Sequence, residues 1–104
     1  MLTIAYEGEV MRYANRIDAN QNDIVRALRG LGAYVRIISQ GDGIPDLLVG
    51  YRGRTVLIEV KDGDKVPSAQ KLTTAEEKFH MEWTGDTCVI VNSVESALQV
   101  LRDL

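Results

Sequence analysis

The sequence predicts one α/β domain with the element order α-β-β-β-α-β-α. Three observations carry that prediction. Runs with helical period are bounded by cap residues and glycines, two β-type runs are joined by Tyr51-Arg52-Gly53, and no repeat or Pro/Ser-rich linker divides the chain. At 104 residues and 45% hydrophobic content, the chain suffices for one sheet and a few helices.

Each element has a local reason. Asp18 or Asn20 can cap a first helix, in which Ile24, Leu28 and Leu31 recur at spacings of four and three, and Gly30 and Gly32 stop it. Ala33–Ile38 reads as a strand and Gly41-Asp42-Gly43 as a turn or loop. Asp46–Gly50 and Arg54–Lys61 read as a hairpin, which Asp62-Gly63-Asp64 ends, and Val66–Leu72 is a loop containing Pro67. Thr73 or Thr74 opens a second helix, each with a glutamate three residues on (Glu76, Glu77), the capping-box spacing. Ala75, Phe79 and Trp83 fall at i, i+4 and i+8 and are expected to form its buried stripe. Gly85-Asp86 breaks that helix, Thr87–Val91 is expected to be a buried strand, and Ser93 caps a last helix with Val94, Leu98 and Leu101 inward. Met1–Ile17 has no clean period and reads as an arm or a packed extension.

The hairpin carries the chemistry. If Arg52 and Gly53 are the two central turn residues, antiparallel register pairs Tyr51 with Arg54, Val49 with Val56, Leu48 with Leu57, and Asp46 with Glu59. The two acids then lie side by side on one face, and alternation adds Lys61 to that face while Val56, Ile58 and Val60 point the other way. A slip of one residue would separate the acids. Two adjacent carboxylates repel each other, a cost that makes sense if a divalent cation sits between them. Such an ion, of which Mg²⁺ is the natural example, suits phosphodiester hydrolysis, with Lys61 orienting water or stabilising charge on the phosphate and the backbone carbonyl of Val60 as a further ligand.

Bulk properties narrow the setting. The single cysteine, Cys88, allows no internal disulfide and suits a reducing compartment. No stretch is long and apolar enough for a membrane span, and the first residues lack a signal-peptide pattern, so a cytoplasmic location is expected. The net charge of −3 neither supports nor excludes a nucleic-acid partner, because metal would neutralise some acids and the twelve Lys and Arg need only cluster.

Gly43-Ile44-Pro45-Asp46 and Glu59-Val60-Lys61 resemble the P-D…(D/E)-x-K signature of the restriction-endonuclease-like nuclease superfamily. The chain is most similar to the small virus-type replication-repair nuclease (VRR-NUC) domains common in phage genomes. Asp18-Ala19-Asn20-Gln21, Leu47-Leu48-Val49-Gly50, Lys71-Leu72-Thr73, Phe79-His80 and Trp83 add to the likeness. It covers residues 16–104 and leaves 1–15 outside as an N-terminal extension and possible dimerisation arm. The resemblance implies an α-β-β-β-α-β core with a C-terminal helix, a mixed central sheet flanked by helices, and Mg²⁺ or Mn²⁺ dependence. It further implies structure-selective cleavage of branched DNA, as by Holliday-junction resolvases, and a homodimer in a bacterial or phage-infected cell. Two departures stand out. Many relatives carry a glutamate on the first helix that completes the metal site, where this chain has Gln21, with Asp18 or Asp23 able to assist. Relatives often have glutamine where this chain has Glu76 and Glu77, which are assigned here to capping alone.

Asp46, Glu59 and Lys61 are thus the expected catalytic residues, with Asp46, Glu59, the Val60 carbonyl and Gln21 toward metal. Ser39, Arg36, Arg52, Lys65 and Lys71 are candidates for phosphate contacts. His80 is expected to pack or hydrogen-bond, Trp83 to lie in the core, Cys88 to be structural, and Asp42 to serve the turn. The alternatives are a non-catalytic DNA-binding or assembly module on the same fold, and a small α/β interaction domain in which the motif is coincidental.

Overall fold

The computed structural model describes residues 19–63 and 71–104. The expected Asp18 cap, the 1–15 extension, Lys65 and most of the Val66–Leu72 loop lie outside the described residues. In chain order the elements are α1 (residues 19–30), β1 (Tyr34–Ile37), β2 (Leu47–Tyr51), β3 (Arg54–Val60), α2 (Thr74–Glu82), β4 (Thr87–Val91) and α3 (Val94–Arg102). This is the expected order. The sheet is mixed, in the order β1-β2-β3-β4, with β1, β2 and β3 antiparallel and β4 parallel to β3.

The hairpin follows from its turn. Arg52 and Gly53 both adopt left-handed backbone conformations, with φ of 52° and 78°. That pair of positive angles gives the tight turn whose twist suits two adjoining strands. The resulting register is the expected one, Tyr51 opposite Arg54, Val49 opposite Val56 and Leu48 opposite Leu57, and it ends at Leu47 opposite Ile58. Asp46 is the next residue outward.

One face of the sheet is apolar. Val35, Leu47, Val49, Val56, Ile58, Val60 and Val91 are buried there with Ile24 and Leu28 of α1 and Ala97 and Leu101 of α3. Val94 and Leu98 pack half-buried against this core, as their spacing predicts. Ser93 caps α3 through a reciprocal hydrogen-bond pair with Ser96. Asn20 Nδ2 donates to the Lys61 carbonyl (2.8 Å), and Arg29 donates to the Val35 carbonyl (2.7 Å). These two ties lay α1 across the sheet with its first turn at the Lys61 end of β3.

Three expectations need correction. Leu31 is exposed, because α1 stops at residue 30 and Leu31 sits in the turn that follows. Among the described strands, Thr87–Val91 lies at the edge of the sheet, with only Val91 of its residues buried and Ile90 exposed. No residue of α2 is buried, and Trp83 is 37% exposed instead of lying in the core. The reason is geometric. Trp83 has left the helix (ψ 124°), so the i+8 position is not on the stripe, and its ring stacks on Phe79 at 5.6 Å. The α2 surface that meets the sheet carries Glu76 and His80, four residues apart and therefore on one side of the helix.

Candidate active site

The second face of the sheet is polar at one end of the hairpin. The loop before β2 delivers Asp46. Gly41, Asp42 and Gly43 all have positive φ (80°, 56° and 79°), and Ile44 N–H donates to the Gly41 carbonyl (3.1 Å). Gly43 is buried against α2, where a side chain would overlap the Ala75 carbonyl. Both the backbone angle and the space therefore demand glycine. The first residue of the Gly-Ile-Pro-Asp motif thus has a physical role, pressing the Asp46 loop onto the first turn of α2.

Asp46 is held by two donors. Ser39 Oγ donates to Oδ1 (2.7 Å), and the Val60 backbone N–H donates to Oδ2 (2.8 Å). The second bond crosses to β3 beside Glu59, so the two acids meet as the register requires. Ser39, expected near phosphate, here orients a carboxylate.

Glu59 is 4% exposed. Burial first, then the Asp46 charge, then a hydrogen bond to Glu76 and its charge raise its pKa to about 8, with Lys61 only partly opposing them. Lys61 Nζ lies 2.8 Å from Glu76 Oε1 and 3.6 Å from Glu59 Oε2. Burial works to lower the Lys61 pKa, but the Glu76 hydrogen bond and charge, then Glu59, outweigh it and hold the ammonium above its ordinary value. For Glu76, burial acts upward, while Lys61, the Thr73 N–H and Glu59 draw the carboxylate below its usual range.

Glu76 is the residue that sequence reasoning missed. It completes the capping box with Thr73, as expected, and it also pairs with Lys61. The sequence marks Glu76 as a cap, but nothing local to it points to Lys61, which lies just past β3 and is separated from α2 by a loop. His80 meets the Cys88 thiol at 3.6 Å and Phe79 edge-on, consistent with packing. Burial and the Glu59 charge push the Cys88 thiol pKa up, which favours the neutral thiol over the thiolate.

The remaining expected residues are dispersed. Gln21 is buried in the first turns of α1, next to the Asn20 that binds the Lys61 carbonyl. Arg36 lies exposed on β1 opposite Leu48, on the face that carries the acids. Lys71 is exposed just before α2. Arg52 is not brought to the acids: it stands at the turn, over the Tyr51 ring, six residues and roughly 20 Å along β2 from Asp46.

Among the described residues, no three His, Cys, Asp or Glu side chains are gathered so as to hold a metal by themselves. The donor set still fits a hard cation. Two adjoining carboxylates, one of them buried and resisting ionisation, face an excess of negative over positive charge, and Mg²⁺ needs only one or two carboxylates besides water and phosphate oxygens.

No protein-family model matches the chain, and no curated protein does. A solved structure described as a VRR_NUC domain is similar to it with a TM-score of 0.64 and 25% identity, covering 82% of this chain and 92% of that one. That likeness identifies the fold as the restriction-endonuclease-like nuclease fold of VRR-NUC domains.

Proposed function

We propose that the chain is a metal-dependent endonuclease that hydrolyses DNA phosphodiester bonds. The observation that carries this reading is the junction of Asp46, Glu59 and Lys61 at one end of the hairpin, where a buried carboxylate lies beside a second one and an ammonium. Asp46 and Glu59 would hold Mg²⁺ or Mn²⁺, with the Val60 carbonyl and the Gln21 amide as further oxygens. The ion, when bound, supplies Lewis acidity toward a phosphate oxygen and lowers the pKa of the attacking water. Ser39 and the Val60 N–H keep the Asp46 carboxylate turned to the site, so little reorganisation is needed when substrate arrives. Lys61 donates a hydrogen bond to the attacking water or to a non-bridging phosphate oxygen. Arg36 and Lys71 would contact flanking phosphates, and Arg52 could reach only DNA remote from the scissile bond.

Branched DNA is the proposed substrate, and a homodimer, able to cut two strands, the proposed assembly. A cleavage assay on four-way junction, flap, nicked and linear DNA with Mg²⁺ or Mn²⁺ tests both activity and preference, and sedimentation tests the assembly. Strongest cleavage of the junction, lost in Asp46→Ala and Lys61→Ala, is expected. Failure to cut every substrate would instead favour a DNA-binding module on the nuclease fold.

A further inference from the structure

We propose that Glu76 is a positioning residue for Lys61, holding its ammonium beside Glu59 from the first turn of α2. This rests on the reading of Lys61 as the group that orients water or phosphate. Oε1 of Glu76 is a junction: it accepts from the Thr73 backbone N–H (2.9 Å) and from Lys61 Nζ (2.8 Å). The Thr73 backbone N–H therefore fixes the Glu76 rotamer, and that rotamer in turn fixes the lysine. Without it, Lys61 would have, among the described residues, only Glu59, whose oxygen at 3.6 Å is beyond good hydrogen-bond range. A lysine stem has several rotatable bonds to restrain, and one distant carboxylate does not restrain them. Both side chains are largely shielded, 14% exposed for Lys61 and 17% for Glu76, so water competes little for the pair.

The placement also links the two halves of the site. Gly43 presses the Asp46 loop onto Ala75, the residue before Glu76. One turn of helix thus sets the Lys61 ammonium and abuts the loop that delivers Asp46. A glutamate that served only as a cap would need neither contact.

The test separates cap from lysine. Thr73→Ala removes the hydroxyl half of the capping box and leaves Lys61 its partner, whereas Glu76→Ala removes both. Each variant should lose a few degrees of Tm, about what a cap contributes. Only Glu76→Ala should lower kcat, by about tenfold or more, with KM within about twofold, as expected for a misplaced catalytic group. Glu76→Gln, which keeps an oxygen for both donors and preserves the capping box, should recover kcat to within about threefold of wild type. Equal kcat in Thr73→Ala and Glu76→Ala would overturn the proposal. A second readout needs no activity: the Lys61 ammonium, followed by ¹⁵N lysine NMR, should be protected from exchange in wild type and Thr73→Ala and lose that protection in Glu76→Ala. Protection that persists in Glu76→Ala overturns the proposal, whether or not the wild type cuts DNA. Absence of wild-type cleavage with the expected NMR result would instead overturn the nuclease reading alone.

Discussion

The two ends of the β2–β3 hairpin use the same chemistry to opposite effect. At the turn end, Arg54 grips Asp86 through two hydrogen bonds of 2.9 and 2.7 Å, and the Thr55 and Thr87 backbone N–H groups donate to the same carboxylate. Chiefly through the Arg54 hydrogen bond, then that of Thr55, the Asp86 pKa falls well below the ordinary aspartate value. At the other end, Glu59 is buried between Asp46 and Glu76 and its pKa rises to about 8. One carboxylate is matched by donors and solvent; the other, among the described residues, has more negative neighbours than positive ones. The first arrangement ties the hairpin to β4. The second stores an electrostatic cost that a cation and a phosphate would relieve, which is the expected signature of a functional site.

That contrast can be broken at either end. The largest effect is expected at the acid end, where Asp46→Ala or Lys61→Ala should reduce metal-dependent cleavage by about a thousandfold, measured as kcat/KM. Next comes the loop that carries Asp46. Gly43→Ala should destabilise the fold by about 2 kcal/mol or more in urea titration, because it combines an unfavourable φ with an overlap on Ala75. Its effect on cleavage should exceed what the stability loss alone explains, since α2 and the Asp46 loop would be pushed apart.

At the turn end the effects are smaller. Asp86→Ala should lower Tm by roughly a few degrees, since its ion pair with Arg54 is exposed. The sign with pH is set by the depressed pKa. The stabilisation is complete above the ordinary value of 3.8 and is lost as pH falls toward the folded-state value, so wild type and variant should converge in strong acid. Smallest of all, Arg52→Asn should stabilise by about 0.5 kcal/mol in thermal unfolding, because asparagine tolerates the left-handed turn position better than arginine. The lost contact with Tyr51 sets the limit on that gain.

The same two ends explain what could be read from the sequence. The hairpin register was accessible because a two-residue turn and strict alternation leave one pairing that brings Asp46 to Glu59. The element order followed for a similar reason, since caps and glycines act locally. Glu76 was accessible only as a cap, because its contact with Lys61 joins elements separated in sequence by a loop. The α2 stripe misled because Phe79 and Trp83 have helical spacing, yet Trp83 lies past the helix end and the sheet face beneath α2 is the polar one. Thr87–Val91 is an apolar run that reads alike at the edge or in the middle of a sheet, and only its place in the fold, paired among the described strands with β3 alone, distinguishes the two.

The most direct test of the contrast is Glu59→Gln, assayed for both cleavage and stability. In the metal-free wild type the unfolded chain releases the Glu59 proton near 4.5 and the folded one near 8, so stability should fall as pH rises through that interval. Glutamine removes that loss. Glu59→Gln should cleave at least about a hundredfold less than wild type. Its metal-free Tm at pH 8 to 9 should exceed that of wild type by several degrees or more, and Mg²⁺ or Mn²⁺ should stabilise the wild type much more than the variant. A variant that cuts DNA as well as wild type, or one less stable than wild type at that pH, would contradict the claim that Glu59 is kept at a cost for metal-dependent chemistry.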